Sequence, residues 1–347
     1  MYGKKYLLFL FLFYSQKNFS QTILLTGGAG YIGSHVGYYL HQNKHTVIII
    51  DKFEHNQPFC HQWAQVYHGD FSDSKLLNKI FTENTIDCVM HFAAYAYVGE
   101  SMKNPFKYYE NNLVKTITLV KKMIQRNIKN LIFSSSCTVY GIPPTLPITE
   151  DMPFRPISPY GATKASIELF LEQLSTNLNF KYVSLRYFNA TGTCASKGLC
   201  EFHQPEPHVI PLAIRACLSK KSFKVFGSDY PTKDGTCIRD YLHVQDIANA
   251  HLAALNYLQK ENRSNIFNLG TGKGYSVLEI LDKVEKVCKK PLNKIFIKRR
   301  EGDPAILYAN ASKAKEVLGW TPQFSSLQNI IQSAYEGELL FRKIIST

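Results

Sequence analysis

The chain predicts an α/β protein: a Rossmann-type doubly wound parallel sheet with a smaller C-terminal substrate-binding lobe. Three observations carry that expectation. Short, near-continuous β-branched runs alternate with helical stretches through the first half, the pattern of parallel strands covered on both faces. A glycine loop, Thr26-Gly27-Gly28-Ala29-Gly30-Tyr31-Ile32-Gly33, follows the first run, and Asp51 ends the second; that spacing marks a dinucleotide-binding βαβ unit. Mid-chain, Tyr160-Gly161-Ala162-Thr163-Lys164 sets a phenol and an ammonium one helical turn apart.

Taken in order, Thr22-Ile23-Leu24-Leu25-Thr26 is the first strand and 34–42 the helix opened by the glycine loop. Residues 46–51 form a buried strand with a carboxylate at its C-terminal end, and further strands are expected at 65–67, 87–92, 131–135 and 182–186. Their crossovers should be right-handed. Helix 161–177 carries Ile167, Phe170, Leu171 and Leu174 at i, i+3, i+4, i+7, with Glu168 and Glu172 off that stripe. Ser276 and Glu279 make a capping-box pattern ahead of Ile280, Leu281, Val284 and Val287. Residues 189–235, rich in Pro, Gly and polar side chains without a regular period but interrupted by apolar stretches such as 209–214, read as a substrate-side region. The resulting division is an N-terminal extension over 1–21, a nucleotide-binding domain over 22–188 and a substrate lobe over 189–347, with 236–272 returning to the first domain.

At 347 residues, 45% hydrophobic and 19% charged, the chain has length and apolar content for a substantial core and two domains. Its formal charge is +13, but Lys and Arg are scattered, so no nucleic-acid partner is expected; a diphosphate ligand would profit from such a field. Eight cysteines show no CxxC pair and no zinc spacing. They read as free thiols in a reducing compartment, and no metal is expected. Near the start, Lys4-Lys5 precedes an apolar run over 6–14. That run is far shorter than the about 20 residues of a membrane-spanning helix and lacks a small-x-small cleavage site. The expectation is a dispensable extension on a cytoplasmic protein with no stable membrane span; a signal-like anchor is the alternative.

The chemistry concentrates in few residues. Gly27, Gly28 and Gly30 let backbone approach a pyrophosphate, and Gly33 lets the following helix pack closely. Asp51 would accept hydrogen bonds from adenosine ribose hydroxyls and repel a 2′-phosphate, which favours NAD over NADP. Asp70, after the third strand, is placed to reach the adenine amino group or to stand as a solvated loop acid. A free phenol titrates near 10 and is a poor base at neutral pH. A nearby ammonium and the positive nicotinamide ring both favour phenolate, so Lys164 and the bound cofactor should together move Tyr160 toward working pH. Ser134-Ser135-Ser136 ends the preceding strand, and Ser136 would hydrogen-bond the reacting hydroxyl.

These motifs resemble the extended short-chain dehydrogenase/reductase family, and within it the UDP-glucose/UDP-galactose 4-epimerases. The resemblance runs from about Thr22 to Gln323 and rests on TGGAGYIGSH (26–35), HFAAYAYVGES (91–101), YYENN (108–112), FSSSCTVYG (133–141), SPYGATK (158–164), RYFNATG (186–192), FGSDYPTKDGTCIRDYLHV (226–244) and RREGDPA (299–305). It implies a catalytic triad of Ser136, Tyr160 and Lys164. It implies NAD contacts from Gly27, Gly30, Tyr31, Ile32, Gly33, Asp51, Asp70, Phe92, Asn111, Tyr160, Lys164 and Tyr187. For a UDP-sugar it implies Ser136, Tyr160, Asn189, His208, Phe226, Arg239, Arg300, Asp303 and Leu307. A homodimer is a further expectation from the resemblance. The implied reaction is loss of hydride from C4 of the sugar to NAD as Tyr160 removes the 4-hydroxyl proton, turnover of the flat 4-keto sugar, and return of both to the opposite face. Two arginines suit the diphosphate independently, since the guanidinium fork matches phosphate oxygens.

The chain departs from the family pattern at three places. Ala96 stands where some members carry a lysine, His208 where an asparagine often meets the nucleotide, and Leu307 at a position that helps size the sugar pocket. A residue smaller than an aromatic at 307 would admit N-acetylated sugars, and UDP-arabinose 4-epimerisation uses the same catalytic parts. A nucleotide-sugar dehydratase or decarboxylase on the same scaffold would need acids where Cys137-Thr138 stands. A cofactor-sensing protein without activity would lack the Tyr160–Lys164 pair.

Overall fold

A computed structural model describes residues 20–54, 62–201, 203, 205–300 and 303–345. The expected extension over 1–21 falls almost wholly outside the described residues, as does Cys60. The first half runs β1 (Thr22–Thr26), α1 (Tyr31–Gln42), β2 (Thr46–Asp51), β3 (Gln65–His68), α2 (Ser74–Glu83) and β4 (Cys88–His91). Next come α3 (Val98–Lys103), α4 (Pro105–Tyr108), a π-helical turn at Tyr109–Val114, α5 (Lys115–Gln125) and β5 (Asn130–Ser136). A 3₁₀ turn at Cys137–Tyr140 leads towards α6 (Pro159–Asn177) and β6 (Lys181–Tyr187).

The remainder is β7 (Asn189–Thr191), α7 (Val209–Leu218), β8 (Phe223–Phe226), β9 (Ile238–His243), α8 (Val244–Glu261), β10 (Asn265–Leu269) and β11 (Gly274–Ser276). It closes with α9 (Val277–Cys288), β12 (Lys294–Ile297), β13 (Ile306–Leu307), α10 (Ser312–Leu318) and α11 (Leu327–Ile345).

Seven strands pair in parallel in the order β3-β2-β1-β4-β5-β6-β10. Successive residues of a strand face opposite sides, so Ile23 and Leu25 of β1 enter one core and Leu24 the other. The first core is closed by Val36 and Leu40 of α1 and Ile247, Ala254 and Leu255 of α8. The second is closed by Leu77 and Ile80 of α2, Leu119 and Met123 of α5, and Ile167 and Leu171 of α6. Strand order reverses between β1 and β4, and in such sheets ligands bind beyond the carboxyl ends of the strands at that crevice.

The later residues build a second layer. β9 pairs with β11, β13 and β7 in a four-stranded sheet, β8 pairs with β12, and a third core gathers Ile210 and Ile214 of α7, Ile280 and Val284 of α9, and Ile330 and Ile331 of α11. Within 236–272, α8 and β10 cover and extend the central sheet, whereas β9 stays with the smaller one. The Ser276–Glu279 capping box is present at the start of α9. Two helices differ from the sequence reading. α1 starts at Tyr31, three residues before the expected start, because Gly30 serves as its N-cap. Region 189–235 contains α7, whose Ile210, Ala213, Ile214 and Cys217 are buried at helical spacing while Pro211 lies in its first turn.

No helix among the described residues is long and apolar enough to cross a membrane.

Candidate active site

The glycine loop is shaped for close backbone approach. Gly27 has φ +69°, and a Cβ on it would lie 2.7 Å from the Ala93 amide nitrogen; one on Gly33 would collide with the Gly27 carbonyl oxygen. Gly30 meets nothing nearer than that same oxygen at 3.3 Å. As the N-cap of α1 it offers no side-chain acceptor, and the first turn holds no acid. The helix therefore presents uncapped N–H groups at its positive end, and a pyrophosphate fits that arrangement. Tyr31, buried in the same turn, donates its hydroxyl to Gly192 O at 2.5 Å; Ile32 is half-buried beside it.

Asp51 ends β2. Its two oxygens accept from Ala29 N at 2.9 Å and Phe53 N at 2.8 Å, so the carboxylate braces the loop itself. Burial raises its pKa, and the backbone donors hold the rise down. Asp70 is neither solvated nor unengaged: it pairs with Lys52 at 2.8 Å and Lys115 at 2.6 Å. Burial alone would raise its pKa, but Lys115, Lys52 and Ser72 outweigh it and hold the carboxyl well below its ordinary range. Lys52, adjoining Asp51, thus points its ammonium at Asp70. Phe92 follows β4 and packs on His251 with ring centroids 4.9 Å apart. Asn111 is buried in the π-helical turn, donating to Asn112, which in turn holds both backbone groups of Tyr95. Such turns interrupt regular helices at functional sites.

The reactive pair stands on α6, started by Ser158 as N-cap and Pro159 in its first turn. Tyr160 and Lys164 are both buried. Lys164 Nζ donates to Ser134 O at 2.7 Å and lies 4.7 Å from the Phe133 ring centroid and 5.9 Å from that of Tyr160. Tyr187 at the end of β6 donates its hydroxyl to Ser134 Oγ. Ser136 ends β5, takes the amide and hydroxyl of Thr138, and acts on the neighbouring Tyr160 phenol to lower its pKa. Burial pushes the Tyr160 phenol up to about 12, Ser136 opposing it, and burial pulls the Lys164 amine down to about 7. In the ligand-free protein desolvation dominates both groups, and the ammonium does not bring the phenol to neutral pH.

The substrate-side residues cluster on the smaller sheet. Asn189 of β7 donates to Asp240 O at 2.9 Å. Arg239, on β9 opposite Leu307 of β13, pairs with Asp303, and the Arg300 guanidinium lies 4.1 Å over the Phe226 ring. Leu307 shares an apolar cluster with Cys137 and Phe188, which brings β13 against the loop carrying Ser136. His208 stands apart from these: its Nδ1 is held by Glu206 at 2.7 Å and Glu201 at 2.9 Å. Burial would lower its pKa, but the two carboxylates outweigh it and raise it. Its Nδ1 is thus committed to carboxylates.

Residues 23–270 match the NAD dependent epimerase/dehydratase family. A UDP-glucose 4-epimerase of Halalkalibacterium halodurans is 44% identical over 314 residues, 90% of this chain and 94% of the relative. The chain belongs to this family. Among solved structures, UDP-glucose 4-epimerase from Brucella ovis in complex with NAD is similar with a TM-score of 0.88 at 39% identity, covering 91% of this chain and 98% of that one. The enzyme from Bifidobacterium longum, in complex with NAD⁺ and UDP, is similar with a TM-score of 0.87 at 38% identity, covering 92% and 98%. NAD is the cofactor of the family, and the uncapped helix end, the glycine cradle and Asp51 fit it.

Several residues of this epimerase/dehydratase site were invisible to sequence reasoning. Glu168, off the apolar stripe of α6, is buried and accepts from Arg186 Nε at 2.9 Å and Nη2 at 2.8 Å, and from Ser135. Arg186 also donates to Tyr140 at 2.7 Å, and Tyr140 to Asn268. This network ties α6 to β5, β6 and β10 directly beneath Tyr160 and Lys164. A buried Arg on an otherwise apolar strand was its one sequence signal. His91 bridges Thr26 and Thr116 at 2.6 and 2.7 Å. The run Glu201-x-His203-x-x-Glu206-x-His208 carries its signal in alternating Glu and His and not in cysteine spacing.

Proposed function

We propose that this chain interconverts UDP-glucose and UDP-galactose by inverting C4 through a transient 4-keto sugar. One observation supports the reading most: Tyr160 and a buried Lys164 stand together in the first turns of α6, and Lys164 donates to Ser134 O at 2.7 Å near the carboxyl end of β5, the strand that Ser136 ends. NAD, when bound through Gly27, Gly30, Tyr31, Ile32, Gly33, Asp51, Phe92, Asn111, Lys164 and Tyr187, supplies the acceptor and donor of the C4 hydrogen. Asp70 belongs to that set at the adenine end. Tyr160, protonated in the ligand-free protein, would take the proton of the sugar 4-hydroxyl once the positive nicotinamide ring favours its phenolate, and would return it, with Ser136 sharing the hydrogen bond. Lys164, anchored on Ser134, fixes the phenol and the cofactor ribose. Arg239 and Arg300 grip the diphosphate while Asn189, Phe226, Asp303 and Leu307 line the nucleotide-sugar, so remote binding energy retains the keto sugar as it turns; His208, its Nδ1 held by Glu201 and Glu206, is left out of that lining. Cys137-Thr138 supplies no carboxyl acid, which argues against elimination chemistry.

The test is incubation with UDP-galactose and no added NAD, followed by NMR of the sugar. UDP-glucose should form, and Tyr160→Phe should lower kcat by about 10²- to 10⁴-fold, the usual worth of a positioned acid–base group. Conversion that needs stoichiometric oxidant, or that survives in Tyr160→Phe, refutes the reading. Leu307, smaller than an aromatic side chain, extends the proposal to N-acetylated sugars, and no turnover of UDP-N-acetylglucosamine would end that extension.

The working unit we infer is a homodimer in a reducing, cytoplasmic compartment. Met102, Phe106, Val114, Ile117 and Ile124 lie exposed along α3, α4, the π-helical turn and α5, with Phe106 87% exposed. A monomer rarely leaves such a row in water, and an antiparallel pair of these helices would bury it. The cysteines among the described residues are free thiols, which suits the reducing compartment.

A further inference from the structure

The segment leading into α7 gathers Glu201, His203, Glu206 and His208, whose candidate ligand atoms all lie within 4.8 Å of one another. Imidazole nitrogens and carboxylate oxygens alternate around a small ring. His208 Nδ1 is 2.7 Å from Glu206 Oε1 and 2.9 Å from Glu201 Oε1; His203 Nδ1 is 3.2 Å from Glu201 Oε1 and 3.8 Å from Glu206 Oε2. With Glu206 Oε2 as its ligand atom, the remaining spacings of 2.9, 3.2 and 3.8 Å bracket the edge of about 3.3 Å expected for a tetrahedron of N and O ligands about 2.0–2.1 Å from a zinc ion.

A second observation points to a missing partner. Glu206 Oε2 is buried without a hydrogen bond, on a side chain only 1% exposed. The nearest other cation, Arg215, is 4.0 Å away and its Nε is committed to Glu338 at 2.8 Å. A buried carboxylate oxygen with no donor is costly, so native proteins seldom leave one. The Tyr97 hydroxyl is likewise buried and unbonded, its ring 5.9 Å from that of His203.

We propose that Glu201, His203, Glu206 and His208 form a structural site for a divalent cation of the zinc class. Two carboxylates neutralise the ion, so the site carries no net charge, and two imidazoles select against magnesium and calcium, which take oxygen ligands. Four protein ligands leave no open position, which makes the site structural and not hydrolytic. Its place in the fold gives it work. The Tyr31 ring packs edge-on to His203 at 6.0 Å, and its hydroxyl reaches Gly192. A bound ion would therefore pin the segment before α7 against the glycine-loop helix, across the cleft between cofactor and substrate sides. The expectation of no metal, drawn from the cysteines, is replaced by this one. The inference does not depend on the epimerase reading, and none of its readouts is activity.

The experiment uses untagged full-length protein, stripped with a chelator and shown folded by circular dichroism, then equilibrated with Zn²⁺ or Co²⁺. Desalted protein should retain one zinc per chain, the cobalt form should show the intense visible absorption of a four-coordinate ion, and zinc should raise the unfolding temperature. Glu206→Gln and His203→Gln should each weaken zinc binding by at least the about 10- to 100-fold that loss of an outer partner alone costs. If either variant fails to fold, the wild-type cobalt spectrum decides. No retained zinc and no thermal shift would leave the cluster as a set of imidazole–carboxylate ion pairs and overturn the proposal. Retention undiminished in both variants would place the ion elsewhere and overturn it equally.

Discussion

Lys164 concentrates the electrostatic cost of the site in one residue. Its amine is fully enclosed, bonded to a single carbonyl, and drawn down to about 7 by desolvation. The unfolded chain holds that proton until about 10.4. Between these values the unfolded state carries the extra proton, so stability of the ligand-free protein rises with pH across the window, and the full penalty is felt below pH 7. Lys164→Met removes the titration. The variant should gain on the wild type at pH 7, and that gain should shrink by about 1.4 kcal/mol for each pH unit upward towards pH 10. Urea unfolding at pH 7, 8 and 9 measures the slope, which lost packing or a lost hydrogen bond would not produce. Equal slopes for both proteins would show that Lys164 is charged in the fold at neutral pH.

Between residue and molecule stand the elements that aim the chemistry, and α6 is the decisive one. Its register is set by Ser158 and Pro159 at one end and by the Glu168–Arg186 pair in its middle. Arg186→Met alone would strand the Glu168 carboxylate in the core and should cost about 3–5 kcal/mol, whereas Arg186→Met with Glu168→Leu should recover much of that loss. Chemical unfolding of the three proteins checks it; an Arg186→Met variant as stable as wild type would mean the pair does not hold the helix.

Here the limits of reading a sequence have a physical cause. The strands were legible because a parallel strand buried on both faces is apolar at every position, as Ile48, Ile49 and Ile50 are. The glycine loop, Asp51 and the Tyr160–Lys164 pair were legible because local spacing carries their geometry. Glu168 was not, because its partner sits on the next strand and only the packed fold decides that both are buried. Helix α7 hid behind Pro211, which stops a helix in its middle and starts one in its first turn. The raised pKa of Tyr160 in the ligand-free protein was not legible, because proximity to a charge is visible in spacing and desolvation is not.

At the scale of the molecule, a seven-stranded parallel sheet carries the glycine loop, Asp51 and Ser136, and the smaller four-stranded sheet carries Asn189, Arg239 and Leu307. The apolar row runs along the exposed side of α3 to α5, and Phe106 is its most exposed member. Phe106→Glu should shift the protein from dimer to monomer in light scattering after gel filtration, with the fold retained; an unchanged dimer would place the interface elsewhere. The central claim is that one hydrogen leaves C4 and comes back to it within a single closed site. UDP-galactose deuterated at C4, incubated in ordinary water without added NAD, tests this most directly. The account predicts UDP-glucose with the deuterium still on C4, and deuterium lost to solvent, or no conversion at all, would contradict it.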